Sequence, residues 1–240
     1  MNTSIKLTVL FITIFVFGYF LSSLLYAHKN KKFNGSMLQR KVFMWLPIFF
    51  VFLLYINTGL ISQLVVTGIV ITGIMLDLFS KINKSSTKFL LTTYALLVSL
   101  GILCALQIVD QNNNLLIAVV FSSVMSDVFA FFFGNYIGRH KLPKALNSRK
   151  SWEGVLGQLV GALFGILLVN MFVTNVPIAW FIVIGAASAT GDLLNSYIKR
   201  KEGFKDWSNR IPGHGGYLDR FSSLSLVLIA AFVISSFAYA

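Results

Sequence analysis

The chain has 240 residues, 56% of them hydrophobic and only 12% charged, with a mean hydropathy of +0.78. Soluble domains carry about 25% charged residues, so this composition excludes an ordinary soluble domain, and the apolar content excludes a disordered chain. A formal net charge of +12 would point to nucleic acid in a soluble protein. Here the basic residues have a nearer explanation in membrane topology, and no nucleic-acid partner is expected.

Apolar runs of about 20 residues, the length a helix needs to cross a bilayer, recur along the chain. They predict an all-α, polytopic membrane protein with about eight transmembrane helices, over 4–27, 42–57, 59–80, 89–109, 115–136, 154–175, 177–198 and 219–239. The first run, Leu7 to Tyr26, follows Lys6 and is long for the core of a signal peptide. No small-residue cleavage site follows it, so it is expected to remain as a membrane helix. Only the turn signal Ile56-Asn57-Thr58-Gly59 divides the second run from the third, and one span plus a re-entrant piece is the alternative. The single cysteine, Cys104, sits inside the fourth run and excludes an intrachain disulfide.

The charges give an independent check. Of 20 Lys and Arg residues, only Lys6 lies outside the segments 28–41, 81–88, 137–152 and 199–220. These are every second loop of the eight-helix arrangement. The alternate loops, such as Asp110-Gln111-Asn112-Asn113-Asn114, carry no basic residue. The positive-inside rule then puts the basic loops in the cytoplasm and both termini outside. Residues 1–240 read as a single membrane domain, with apolar helices over 1–110 and the polar motifs in 111–240.

Ionisable residues at membrane depth are costly and point to function. Asp127 lies roughly 13 Å from the cytoplasmic end of the fifth span, and Asp192 roughly 10 Å from that end of the seventh. Asp77, near the cytoplasmic end of the third, reads as an interfacial residue. Helical spacing puts Asp192, Ser196 and Arg200 in one row with Lys199 beside it. That stripe changes from negative to positive toward the surface, which suits a metal at one end and phosphates at the other. The next loop runs to Pro212-Gly213-His214-Gly215-Gly216 and then Asp219-Arg220 at the start of the last span. Glycines there let backbone N–H groups approach an anion, and Asp219 also suits a helix N-terminus. A second basic loop contains His140, Lys141 and Lys144 and ends in Ser148-Arg149-Lys150-Ser151-Trp152-Glu153-Gly154. Lys150 and Ser151 open the sixth span, where a phosphate is favoured, and Glu153 completes the cap begun near Ser151. His140 and His214 read equally as structural or catalytic.

These residues resemble the phosphatidate cytidylyltransferase, or CDP-diacylglycerol synthase, family. The resemblance rests on Ser196, Lys199-Arg200, Lys205-Asp206, Pro212-Gly213-His214-Gly215-Gly216 and Asp219-Arg220, preceded by Gly191-Asp192. Asp127, Gly134, Gly138 and the stretch from Ser148 to Gly154 look like a second motif of the family, so the resemblance covers roughly residues 123–223. The first 110 residues match only in being apolar, and that half is short. One position departs: family members usually carry a further Asp three residues after the Asp-Arg aspartate, where this chain has Ser222.

The resemblance implies transfer of a nucleotide from CTP to phosphatidate, giving CDP-diacylglycerol and pyrophosphate, on the cytoplasmic face of the cell membrane. It implies catalytic roles for Asp192, Asp219, Lys199, Arg200 and Arg220. Ser196, Lys205, Gly213, His214, Gly215, Gly216, Lys150 and Ser151 would bind substrate. Asp192, Asp219 and Asp127 would hold Mg²⁺, with a monovalent cation as a further expectation. Expected partners are CTP, phosphatidate or a related lipid phosphate, membrane lipids and a second copy of the chain in a homodimer. Other readings are a cation- or proton-coupled transporter and a divergent homologue with another lipid acceptor or no activity.

Overall fold

A computed structural model describes residues 3–28, 36, 39, 42–83, 85–143, 150–211 and 215–238. Among them are eight helices of 13 or more residues: α1 (Thr3–His28), α2 (Trp45–Asn57), α3 (Leu60–Ile82), α4 (Lys88–Gln111), α5 (Asn113–Tyr136), α6 (Trp152–Phe172), α7 (Trp180–Lys201) and α8 (Tyr217–Ala238). Seven are long and apolar enough to cross a bilayer, which makes this an all-α, multi-pass membrane protein. Helices are the natural solution because every backbone polar group within hydrocarbon must be satisfied inside its own segment.

The expected second span is the one that differs. α2 has 13 residues, about 20 Å of helix against a hydrocarbon core of about 30 Å. Its C-terminus lies level with the start of α1, where Ser4 Oγ donates to Asn57 Oδ1 at 2.6 Å. Its other end lies level with the middle of α1, because Phe43 meets Phe15 and Tyr19 edge-on at 6.1 and 6.2 Å. α2 therefore lines only the half of α1 nearer its N-terminus.

The helices alternate in direction, and the contacts sort their ends into two sets. At the neutral end, Asn113 Nδ2 reaches the Ile56 carbonyl at 3.5 Å. At the basic end, Ser80 Oγ donates to the Trp207 carbonyl at 3.2 Å, and Thr87 donates to the Glu202 carboxylate. The described parts of the basic segments 81–88 and 199–220 thus meet, and Lys150 of the segment 137–152 lines one cavity with Lys199 and Arg220, as the charge pattern predicts.

The tightest crossing is α5 on α6. Gly157, Gly161 and Gly165 recur at helical spacing, and a Cβ on any of them would strike Phe129, Met125 or Ser122 of α5. Without a hydrophobic drive between helices in lipid, such close backbone approach supplies the packing energy. The crossing fixes Asp127, on α5, beside the first turns of α6. The core runs through Ile74, Leu91, Ile117, Ile166, Ile184 and Val227, all with no solvent exposure.

Candidate active site at the basic end

Three elements bring the polar residues together. α5 carries Asp127, α7 carries Asp192, Ser196 and Lys199, and the first turn of α8 carries Asp219 and Arg220. All six line one cavity of about 410 Å³, joined by Lys150, Asn195, Asp206 and Ser223. The apolar part of the lining comes from α1, α2 and α5, with Phe11, Phe15, Phe17, Trp45, Phe131 and Phe132. A second cavity of about 280 Å³ lies between α5, α6 and α7, lined by Gly134, Ser151, Gly154 and Gln158. The two cavities share Asp127, Phe131, Lys150 and Asp192.

Local sequence explains each placement. Ser151 is the N-cap of α6, its Oγ accepting from the Gly154 N–H at 3.2 Å. Leu142 N–H donates to the Lys150 carbonyl at 2.9 Å and Trp152 N–H to the His140 carbonyl at 3.0 Å, which fixes Lys150 just before the helix. Glu153 serves a different partner from the one expected. It accepts from the His140 backbone N–H at 3.0 Å and meets His140 Nδ1 at 2.6 Å, tying the loop to α6 rather than completing the cap. His140 is accordingly a structural residue.

The carboxylates fall into two kinds. Asp127 accepts from the Ser188 and Ser223 hydroxyls, each at 3.2 Å, and Asp192 meets Lys150 Nζ at 2.9 Å and Gln158 Nε2 at 3.3 Å. The Asp192 side chain keeps about a third of its surface open, at 34%. Asp219 is closed in, with 3% of its side chain exposed. Its Oδ1 lies 2.6 Å from Lys199 Nζ, and its Oδ2 accepts from the Trp207 and Gly216 N–H groups, each at 2.9 Å.

Several expected residues sit elsewhere. Arg200 and Lys205 are exposed and outside the cavity wall, so the polar stripe on α7 runs from Asp192 through Ser196 to Lys199. Gly215 has φ +82°, a left-handed conformation, and pairs with Ile211 in an antiparallel bridge. Gly216 is buried, and a Cβ on it would run into the Asp77 carboxylate. Gly213 and His214, with Pro212, lie outside the described residues. Asp77 is not interfacial. It has no solvent exposure and accepts hydrogen bonds from the 208–218 segment.

Ser222 is 2% exposed and does not line the cavity. Its Oγ accepts from Asn195 Nδ2 at 3.0 Å, and Asn195 Oδ1 accepts from the Trp207 indole at 2.8 Å. Trp207, fully buried and stacked on Tyr94 at 5.8 Å, is a residue that sequence reasoning missed. Gln158, Ser188 and Ser223 were missed too. The available signal was position: Ser188 lies one turn before Asp192, and Ser223 one turn after Asp219.

A family model described as the cytidylyltransferase family matches residues 2–238. The chain belongs to the cytidylyltransferase family. Membership extends through the N-terminal helices, where the motifs gave no purchase. Among curated relatives, the phosphatidate cytidylyltransferase of Haemophilus influenzae is 41% identical over 109 residues, 42% of this chain and 38% of that protein. That of Pseudomonas aeruginosa is 39% identical over 122 residues, 48% of this chain and 45% of that protein. The chain thus covers less than half the length of these two family members. A phosphatidate cytidylyltransferase of Rickettsia bellii is 30% identical over 207 residues, covering 80% of this chain and 82% of that protein.

Proposed function

We propose that this chain transfers the cytidylyl group of CTP to phosphatidate, giving CDP-diacylglycerol and pyrophosphate, in phospholipid biosynthesis. The observation that carries the reading is the mixed lining of the larger cavity. Asp127, Asp192, Lys199 and Arg220 line it together with aromatic and aliphatic side chains. A lipid phosphate has the same mixture. The family and the names of the relatives supply the nucleotide. A transporter is disfavoured because these polar groups collect at the basic end.

The reaction forms a bond from a phosphate oxygen of the lipid to the α-phosphorus of CTP and breaks the bond to the pyrophosphate. Two anions must meet, so catalysis is mostly charge compensation and positioning. Lys150, Lys199 and Arg220 stand on the cavity wall to receive phosphate oxygens. Lys199 and Lys150 are held there by Asp219 and Asp192, and each ammonium turns to phosphate with a short side-chain movement. Ser196 and Ser151 offer hydroxyls beside them.

Mg²⁺ suits the oxygen donors present. Among the described residues no three His, Cys, Asp or Glu side chains form a cage. Asp127 and Asp192 face both cavities, and Mg²⁺ is typically held by one or two carboxylates together with substrate phosphates and water. When bound it would neutralise charge on the transferring phosphoryl group. Asp192, partly open and with Lys150 and Gln158 as its partners among the described residues, is the better ligand. Asp219, with three donors already in place, suits organising the loop.

The basic end is proposed to face the cytoplasm, with both termini outside and the chain in the plasma membrane. A cysteine at position 141 would test this, since native Cys104 is buried. Labelling by an impermeant maleimide only after the cells are opened is the expected result. The reaction is tested with purified protein in detergent, phosphatidate, Mg²⁺ and radiolabelled CTP, with EDTA as control. Mg²⁺-dependent CDP-lipid is expected. Folded protein that yields none with any nucleoside triphosphate would refute the proposal.

A further inference from the structure

Asp77 belongs to α3, in the half of the chain where the motifs are silent. A carboxylate with no solvent exposure is costly unless it is paired and fully hydrogen-bonded. Its oxygens are indeed filled. Oδ1 accepts from Ser208 Oγ at 2.6 Å and from Arg210 Nη1 at 2.8 Å, and Oδ2 accepts from the Leu218 N–H at 3.0 Å. These partners are 131, 133 and 141 residues away in sequence. One turn further along α3, Ser80 Oγ donates to the Trp207 carbonyl at 3.2 Å.

The partners have a pattern. Leu218 is the second residue of α8, so its N–H is one of the helix-end donors without an intrahelical acceptor. Asp77 satisfies it from another helix and places negative charge at the positive end of the α8 dipole. Asp77 therefore takes residues 208, 210 and 218, while Asp219 takes the N–H groups of 207 and 216. Two carboxylates from two helices hold the same loop. Gly216 lies between them, and a Cβ there would strike Asp77 and Ser208. The next residues after Leu218 are Asp219 and Arg220, both on the cavity wall.

We infer that Asp77 is a positioning residue for the reaction proposed above, holding Ser208, Arg210 and Leu218 so that Asp219 and Arg220 enter α8 facing the cavity. The inference rests on that reaction and adds a role for an N-terminal helix. Asp77 touches no substrate. It acts through the loop, where a displacement of about 1 Å can cost about 10²-fold in rate.

The test compares Asp77→Asn with wild type by hydrogen exchange and by kinetics. Asparagine keeps an acceptor but removes the charge facing Arg210. Exchange in peptides spanning 203–218 should rise at least about tenfold, while peptides of α5 and α6 stay protected. With CTP and phosphatidate, kcat should fall about 10²-fold with KM for CTP within about threefold, the signature of lost alignment. Unchanged loop exchange would overturn the clamp, and faster loop exchange with wild-type kcat would overturn the positioning role. If Asp77→Asn does not accumulate, Ser208→Ala removes one donor and should move both readouts the same way by a smaller factor. Failure of wild type to make CDP-lipid would refute the reaction instead, and loop exchange would still decide whether Asp77 clamps.

Discussion

Four of the five aspartates at the basic end, Asp206 being the fifth, form two pairs that contrast in what fills their oxygens. Asp127 and Asp192 face open space and, among the described residues, are met by hydroxyls, an amide and one lysine. Asp77 and Asp219 are closed in, and each already accepts from three donors, backbone N–H groups among them. The first pair has acceptor capacity to spare for a cation or substrate. The second has spent its capacity on shape. Residue type and membrane depth do not separate these roles, but the count of donors does.

The contrast is broken or sharpened by substitution. Asp192→Asn should lower Mg²⁺-dependent product formation by about 10³-fold, the upper range for losing one electrostatic group. Its melting temperature should stay within about 2 °C, because a pair one-third exposed contributes little to stability. Full activity in this variant would remove Asp192 from the reaction. Asp219→Asn should cost stability as well as rate. It leaves Lys199 without its partner at a site 14% and 3% exposed, a loss of about 3–5 kcal/mol that lowers the melting temperature by about 10 °C. Equal melting of the two variants would erase the distinction.

A smaller effect is expected at Ser222. Ser222→Asp places a carboxylate against Asn195, behind the cavity wall. The melting temperature should fall by about 5 °C. The Mg²⁺ concentration for half-maximal activity should not improve. A clear improvement would put that position inside the site. The smallest effect concerns Glu202, whose carboxyl is held below the usual carboxylate range by the Ser85 and then the Thr87 hydroxyl. A folded pKa below the unfolded one gives stability that is present above the unfolded value and lost as pH falls through the folded one. Glu202→Gln should therefore melt about 1 °C below wild type at neutral pH, and the difference should vanish in acid.

Much of this was legible in the sequence. Apolar length marked seven spans, and Lys and Arg sorted their ends, because both properties are local to each segment. The 42–57 run was legible as apolar but not as a partial span, since where α2 starts depends on Phe43 meeting Phe15 and Tyr19 of another helix. Asp127 and Asp192 stood out because charge is rare at membrane depth, Lys199 because helical spacing puts it beside the Asp192–Ser196 row, and Asp219 because it follows the glycine-rich loop at a helix start. Arg200 could not be separated from Lys199 by spacing alone, as the two differ only in which side of α7 meets α8. Asp77 was misread because its partners lie more than 130 residues away. No window of sequence contains both halves of that contact.

The shortness of α2 has a consequence for supply. With α2 alongside only the N-terminal half of α1, the aromatic lining of the larger cavity includes Trp45 and neighbours Val42, where α2 has only begun. On the proposed reading, an acyl-chain substrate can arrive by sliding within one leaflet, its tails never leaving oil. Its encounter rate would then follow surface density in that leaflet, whereas the nucleotide arrives from bulk water. The two reactants would be metered in different dimensions, so diluting the lipid with inert detergent should slow turnover even when its molar concentration is unchanged.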